Sequence, residues 1–246
     1  MVARSPSLKS SSSREAVAQR AASHLSKSDP VLKEVIAKLG VQSPRKGRAG
    51  FEGIATAIVY QQISGAAGNA IVRRLNESAG TRGFPPAPWF VSASDERLRG
   101  CGLSPQKLAY LRDLSSRVTK GSLDFGRLPR LGDEEVIEAL TEVHGVGRWT
   151  AEMYLIFALR RPDVLPVDDL GVQKGAAHVY AYRSLPSRRT ILRLGARWRP
   201  YRSFATHYLW QSLQRPAWSG LQEAAKSFRG SYRRNPTGLV EIPRGP

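Results

Sequence analysis

The 246-residue chain carries 38 Lys and Arg against 20 Asp and Glu, a formal charge of +18 with a pI near 10.8. That balance points to an anionic polymer as partner, nucleic acid first, because the excess runs through the Arg-rich 193–202 region as well as the ends. The hydrophobic content of 41% is that of a chain that buries a core, and the single Cys101 excludes both an intramolecular disulfide and a cysteine-ligated iron–sulfur cluster.

In chain order, the start MVARSPSLKSSSSREAVAQR lacks the apolar centre of a secretory signal and is predicted to be a basic disordered tail over 1–22. The first firm helix is SDPVLKEVIAKLG, with Asp29 as cap, Pro30 at the first helical position and Gly40 as the stop. Val31, Leu32, Val35, Ile36 and Leu39 form its apolar face. Residues 41–50 are basic and read as a linker or a phosphate-facing loop. Two helices follow between Phe51 and Ser78, broken near Ser64-Gly65 with YQQIS at the junction. GFPPAPWF reads as a proline-rich loop, and residues 94–119 as a helix pair whose second member starts at Ser104-Pro105. No stretch shows sustained strand alternation, so the fold class is all-α.

Residues 133 to 169 organise the rest. Val136, Ile137, Leu140 and Val143 recur at helical spacing, with Asp133 placed to cap the helix ahead of Glu134 and Glu135. Gly145-Val146-Gly147 then makes a hairpin, and Trp149, Met153, Ile156 and Phe157 mark the predicted inward face of a second helix. Two glycines around one apolar residue allow a sharp turn whose backbone can approach a ligand closely. The amides of Gly147 and Arg148, at a helix start, are placed to hold a phosphate. Asp168 and Asp169 close the segment, and either one can cap the helix that follows.

The order helix, Gly-Val-Gly hairpin, helix, Pro-Val-Asp-Asp resembles the helix-hairpin-helix superfamily of DNA glycosylases. The closer resemblance is to its alkylated-base branch, the 3-methyladenine DNA glycosylase II family, carried by Gly-Val-Gly-Arg-Trp-Thr-Ala at 145–151 and Pro-Val-Asp-Asp at 166–169. It covers about residues 23 to 215. The missing cluster cysteines argue against the endonuclease III branch. The resemblance implies two helical lobes with a DNA- and base-binding cleft between them. One lobe is 23–50 plus 161–228 and carries the catalytic aspartate, the other is 51–160 with wedge and hairpin, and 229–246 is a C-terminal tail.

The resemblance also assigns roles. DNA contact falls to Gly145, Val146, Gly147, Arg148 and Thr150 of the hairpin, and to Gln61 and Gln62 of the wedge that fills the gap left by a flipped nucleotide. By the residues alone, the two glutamines are equally an exposed helix end. Gln62 falls at the intercalating position, where some members of the branch have leucine. Trp149 and Trp210, which in isolation could be core packing, line the base pocket in the family, where electron-rich rings attract a cationic methylated purine. Met153 belongs to the same set, although related enzymes can have an aromatic residue there, and Asp168 is counted among the substrate contacts as a support for Asp169. Bifunctional relatives carry a nucleophilic lysine at position 149; tryptophan there implies a monofunctional enzyme. Asp169 falls at the catalytic position, where a carboxylate stabilises positive charge on the sugar and orients water.

The expected reaction is excision of alkylated purines of the 3-methyladenine and 7-methylguanine type, leaving an abasic site in base excision repair. The alternatives are excision of deaminated or oxidised bases, and a non-catalytic DNA-binding module. Cys101-Gly102-Leu103-Ser104 resembles a Gly-Leu-Ser-x-x-Lys stretch of the family and reads mainly as architecture, with a second phosphate-binding turn as the other reading. The four histidines have no zinc-ligand spacing, so no metal and no cofactor are expected, apart from a monovalent cation at the hairpin carbonyls as in some relatives. The expected partner is double-stranded DNA with a damaged base, acted on by a monomer. No run of about 18 apolar residues exists, so no membrane contact is expected. Location would follow the DNA, in the cytoplasm and nucleoid of a bacterium or the nucleus of a eukaryote.

Overall fold

The computed structural model describes residues 7–214. Among them every regular element is helical and none is a strand, as the periodicity predicts. The described residues divide into two compact units, one of residues 7–44 and 162–214, the other of Arg45–Arg161.

The first unit opens with α1 (Ser7–Ser28) and α2 (Pro30–Leu39). Helix α1 is a correction: where a disordered tail over 1–22 was expected, Ala18, Ala21, Ala22 and Leu25 form a buried stripe at helical spacing. The stripe is nearly all alanine, which favours helix strongly but contributes little to a hydrophobicity pattern. Residues 1–6 of the expected tail, and the C-terminal tail at 229–246, lie outside the described residues.

Asp29 caps α2 as expected, its Oδ1 accepting from the amides of Val31 (3.0 Å) and Leu32 (3.1 Å). The carboxylate does more. It is fully buried, and its Oδ2 accepts from the Tyr180 hydroxyl and from Trp198 Nε1 at 3.1 Å. Every lone pair thus has a donor near it, which is how a buried carboxylate is tolerated. Burial, then the neighbouring Asp29 charge, push the Tyr180 hydroxyl well above the usual tyrosine range.

The second unit begins with α3 (Gly50–Tyr60) and α4 (Gly65–Ala79), the latter capped by Ser64. Next come α5 (Ala87–Ser92), α6 (Asp95–Gly100) and α7 (Pro105–Thr119). Helix α5 corrects the proline-rich loop. Its prolines lie at or before the first turn, where a missing N–H costs nothing, and its Phe90 is buried against Phe51 and Phe84 at 5.7 and 5.6 Å between ring centres. Helix α7 packs on α3 and α5.

A 3₁₀ turn (Leu128–Arg130) leads to α8 (Asp133–Thr141), then α9 (Arg148–Met153), which continues as a π-helix (Tyr154–Ala158). The cap of α8 is Gly132, not Asp133: the Gly132 amide donates to Glu135 Oε2 at 2.6 Å, and Asp133 is the first helical residue. The predicted inward face of α9 also shifts. Ala151, Tyr154, Leu155 and Ile156 are buried, while Trp149 is 53% exposed. The π turn, in which the Leu159 amide reaches Tyr154 O at 3.0 Å, rotates the register after Met153.

The chain returns to the first unit with α10 (Leu170–Val179), α11 (Arg188–Trp198) and α12 (Arg202–Ser212). Their buried residues Val172, Ala176, Ile191, Leu194, Phe204 and Leu209 join those of α1 and α2 in one core.

Candidate active site and DNA-facing hairpin

The hairpin is built around two differently used glycines. Gly145 has φ +79, and a Cβ there would lie 2.1 Å from Tyr110 Cδ2, so only glycine fits the turn. Gly147 has φ −91 and open space around it, which leaves its backbone approachable. Val146 is buried and pins the turn, its amide donating to Val143 O at 3.0 Å. The amides of Gly147 and Arg148 open α9, where the first turn has no intrahelical acceptors.

The Arg148 side chain is committed elsewhere. Its guanidinium makes a two-pronged pair with Glu134 (2.9 and 2.6 Å) and a third bond to Glu152 at 3.2 Å. The hydrogen bond to Arg148 holds Glu134 below the usual carboxylate range, and Glu134 in turn raises Arg148. The Arg148 side chain is thus held by two glutamates, and a phosphate at this turn would be met by backbone amides. Thr150 is buried rather than surface-facing, so its part is also limited to its backbone and the cavity it lines.

The two glutamines separate. Gln61, at the end of α3, turns its Nε2 onto Gly145 O at 2.8 Å, tying the loop after α3 to the hairpin. Gln62 stands exposed with φ +56, a left-handed conformation that side-chain-bearing residues adopt at some cost and that clusters at functional sites. Sequence reading could not part them, because adjacent glutamines diverge only through that backbone turn.

The aspartates separate as well. Asp169 caps α10, and its Oδ1 accepts from the Val172 amide at 2.7 Å and from Trp210 Nε1 at 2.8 Å. Gly171 permits this approach: a Cβ there would lie 2.8 Å from the Trp210 ring and 2.9 Å from Asp169 Oδ1. Asp168 is exposed and ion-paired with Arg188, at the first turn of α11. Arg188 was not foreseen, since nothing local links positions 20 residues apart.

Within the second unit a cavity of about 420 Å³ is lined by Gly47, Gly53, Tyr60, Thr150, Met153 and Phe157 among others. The basic 41–50 segment is fastened beside it through Gly47 N–H to Phe157 O (2.9 Å) and Gly50 N–H to the Tyr154 hydroxyl (2.9 Å). The Gly-Leu-Ser stretch is architecture here: Ser104 caps α7, accepting from the Lys107 amide at 3.2 Å. Among the described residues no three His, Cys, Asp or Glu side chains are grouped to hold a metal.

Residues 55–200 match the HhH-GPD superfamily of base excision DNA repair proteins, and the chain belongs to it. Within that superfamily it falls in the alkylated-base, 3-methyladenine glycosylase branch. It is 32% identical over 193 residues to DNA-3-methyladenine glycosylase 1 of Schizosaccharomyces pombe, covering 77% of this chain and 85% of that one. The solved S. pombe 3-methyladenine DNA glycosylase in complex with abasic DNA superposes with a TM-score of 0.73 at 30% identity, over 81% of this chain and 99% of that one. A DNA-3-methyladenine glycosidase from Bacillus halodurans gives a TM-score of 0.69 at 34% identity, covering 85% and 90%.

Proposed function

We propose that the chain is a monofunctional glycosylase that flips alkylated purines out of duplex DNA and hydrolyses their N-glycosidic bond, leaving an abasic site. The observation that carries this reading is the carboxylate of Asp169, fixed by Val172 N–H and Trp210 Nε1. A purine methylated at N3 or N7 is cationic, so the C1′–N bond can break with its electron pair leaving on a base that departs neutral. Positive charge then develops on the sugar, and a carboxylate held in place stabilises it without reorganising. Asp169 also serves as acceptor for the proton of the water whose oxygen adds to C1′.

The remaining roles extend the same reading. Gln62 fills the gap left in the stack, which offsets part of the few kcal/mol that flipping costs. The Gly147 and Arg148 amides hold a backbone phosphate. Trp149 and Trp210 offer aromatic faces to a cationic base, and the Met153 cavity is within the size range of small-molecule sites. Trp149 has no amine to attack C1′, so no Schiff base forms and the strand stays intact. The enzyme acts as a monomer on damaged duplex DNA, in a nucleoid or a nucleus.

The test is chromatography of bases released from methylated and from deaminated DNA. Release of 3-methyladenine and 7-methylguanine is the expected result; release from deaminated DNA alone would move the substrate class.

A further inference from the structure

One face of α7 touches both DNA-facing elements of its unit. Lys107, Tyr110 and Asp113, spaced by three, follow one side of the helix. Asp113 Oδ2 accepts the His144 amide at 2.8 Å, and the Tyr110 ring fills the space beneath Gly145. Lys107 Nζ donates to Val59 O at 2.6 Å.

A lysine is a costly way to satisfy one carbonyl. Lys107 is only 9% exposed, and burial pushes its ammonium below the usual lysine range, so the charge works against folding. A fold needing only packing here would do better with an apolar side chain. The cation has a particular target, however. Val59 is the next-to-last residue of α3, in the final turn whose carbonyls lack intrahelical donors and where a positive charge suits the helix end. From that turn the chain leaves through Gln61 to reach Gln62 in its left-handed conformation. Any drift of the last turn is passed to Gln62 within three residues. Gln61 closes the circuit by bonding Gly145 O, the glycine that Tyr110 supports.

We propose that Lys107 is a positioning residue for the wedge: it holds the last turn of α3 so that Gln62 is presented in register with the hairpin, which the same α7 face fixes through Tyr110 and Asp113. The proposal rests on the reading of Gln62 as the wedge, and not on which base is excised.

The test uses the full chain carrying Lys107→Met or Lys107→Gln, with a duplex containing a tetrahydrofuran abasic analogue beside 2-aminopurine, whose fluorescence rises when the stack is opened. Lys107→Met should reduce the fluorescence change severalfold and slow single-turnover base release about tenfold. Its affinity for undamaged duplex should stay within about twofold and its thermal midpoint should hold or rise, because a desolvated charge has gone. Lys107→Gln, which keeps a donor, should recover most of the signal. A parental signal retained in Lys107→Met would overturn this inference alone. So would a parallel fall in stability and undamaged-duplex binding, which would make Lys107 a packing residue. No signal from the parental protein would overturn the wedge reading and this inference with it.

Discussion

The two candidate functional regions are built on opposite plans. Around Asp169 the side chain is fixed and the backbone serves it: an amide and an indole N–H meet one carboxylate oxygen, and Gly171 clears the space. Around Gly145–Gly147 the backbone is presented and the side chains are tied away: Arg148 is bound to Glu134 and Glu152, Val146 is buried, and Gln61 bonds the turn itself. The difference suits the two proposed tasks. Stabilising a charge that appears at one atom needs a carboxylate held still. Gripping a phosphate on any sequence needs amides, which carry no base preference.

The largest effect that would break this contrast is at Gly145. Gly145→Val should strain a φ of +79 and drive a side chain into Tyr110, costing on the order of 3 kcal/mol locally. Duplex binding should fail while the Asp169 region stays folded; hydrogen exchange of Val172 against that of Val146 would show whether the damage is confined.

Trp210→Phe comes next. It keeps an aromatic face but removes the indole donor from Asp169, worth about 1–1.5 kcal/mol, so single-turnover release should slow about tenfold with duplex affinity unchanged. If affinity fell instead, Trp210 would be a binding residue only.

Gly147→Val should fold normally, since φ −91 and the open space accept a side chain, yet weaken all duplexes alike by severalfold. Its salt dependence should flatten by about one phosphate contact in a titration from low to high salt. The smallest effect belongs to Asp168→Asn, which loses an exposed pair with Arg188 worth about 0–1 kcal/mol and should change release less than threefold. Stopped-flow or quench kinetics resolve both.

Much of this was legible in the sequence where the signal is local. Asp29-Pro30 and Gly40 mark α2 because a cap, a fixed φ and a stop act within one helix, and Ser64 and Ser104 mark starts the same way. The hairpin is legible because glycine spacing and helical periodicity coincide. What the sequence withheld is long-range or weakly hydrophobic. An alanine stripe hides α1 in a Ser- and Arg-rich segment, and prolines hide α5 although they fit its first turn. The bonds from Tyr180 and Trp198 to Asp29 join residues 151 and 169 positions apart. Gln61 and Gln62 look alike until a left-handed turn sends one into the hairpin and the other outward.

The measurement that tests the account most directly is single-turnover release of 7-methylguanine by Asp169→Asn beside Asp168→Asn, with folding checked by circular dichroism. Asn keeps the shape and the capping oxygen at position 169 but removes the charge. The account predicts a loss of about 3 kcal/mol, a hundredfold or more in rate, with binding of lesion-containing duplex retained. Full activity in Asp169→Asn, or a larger loss in Asp168→Asn, would contradict it.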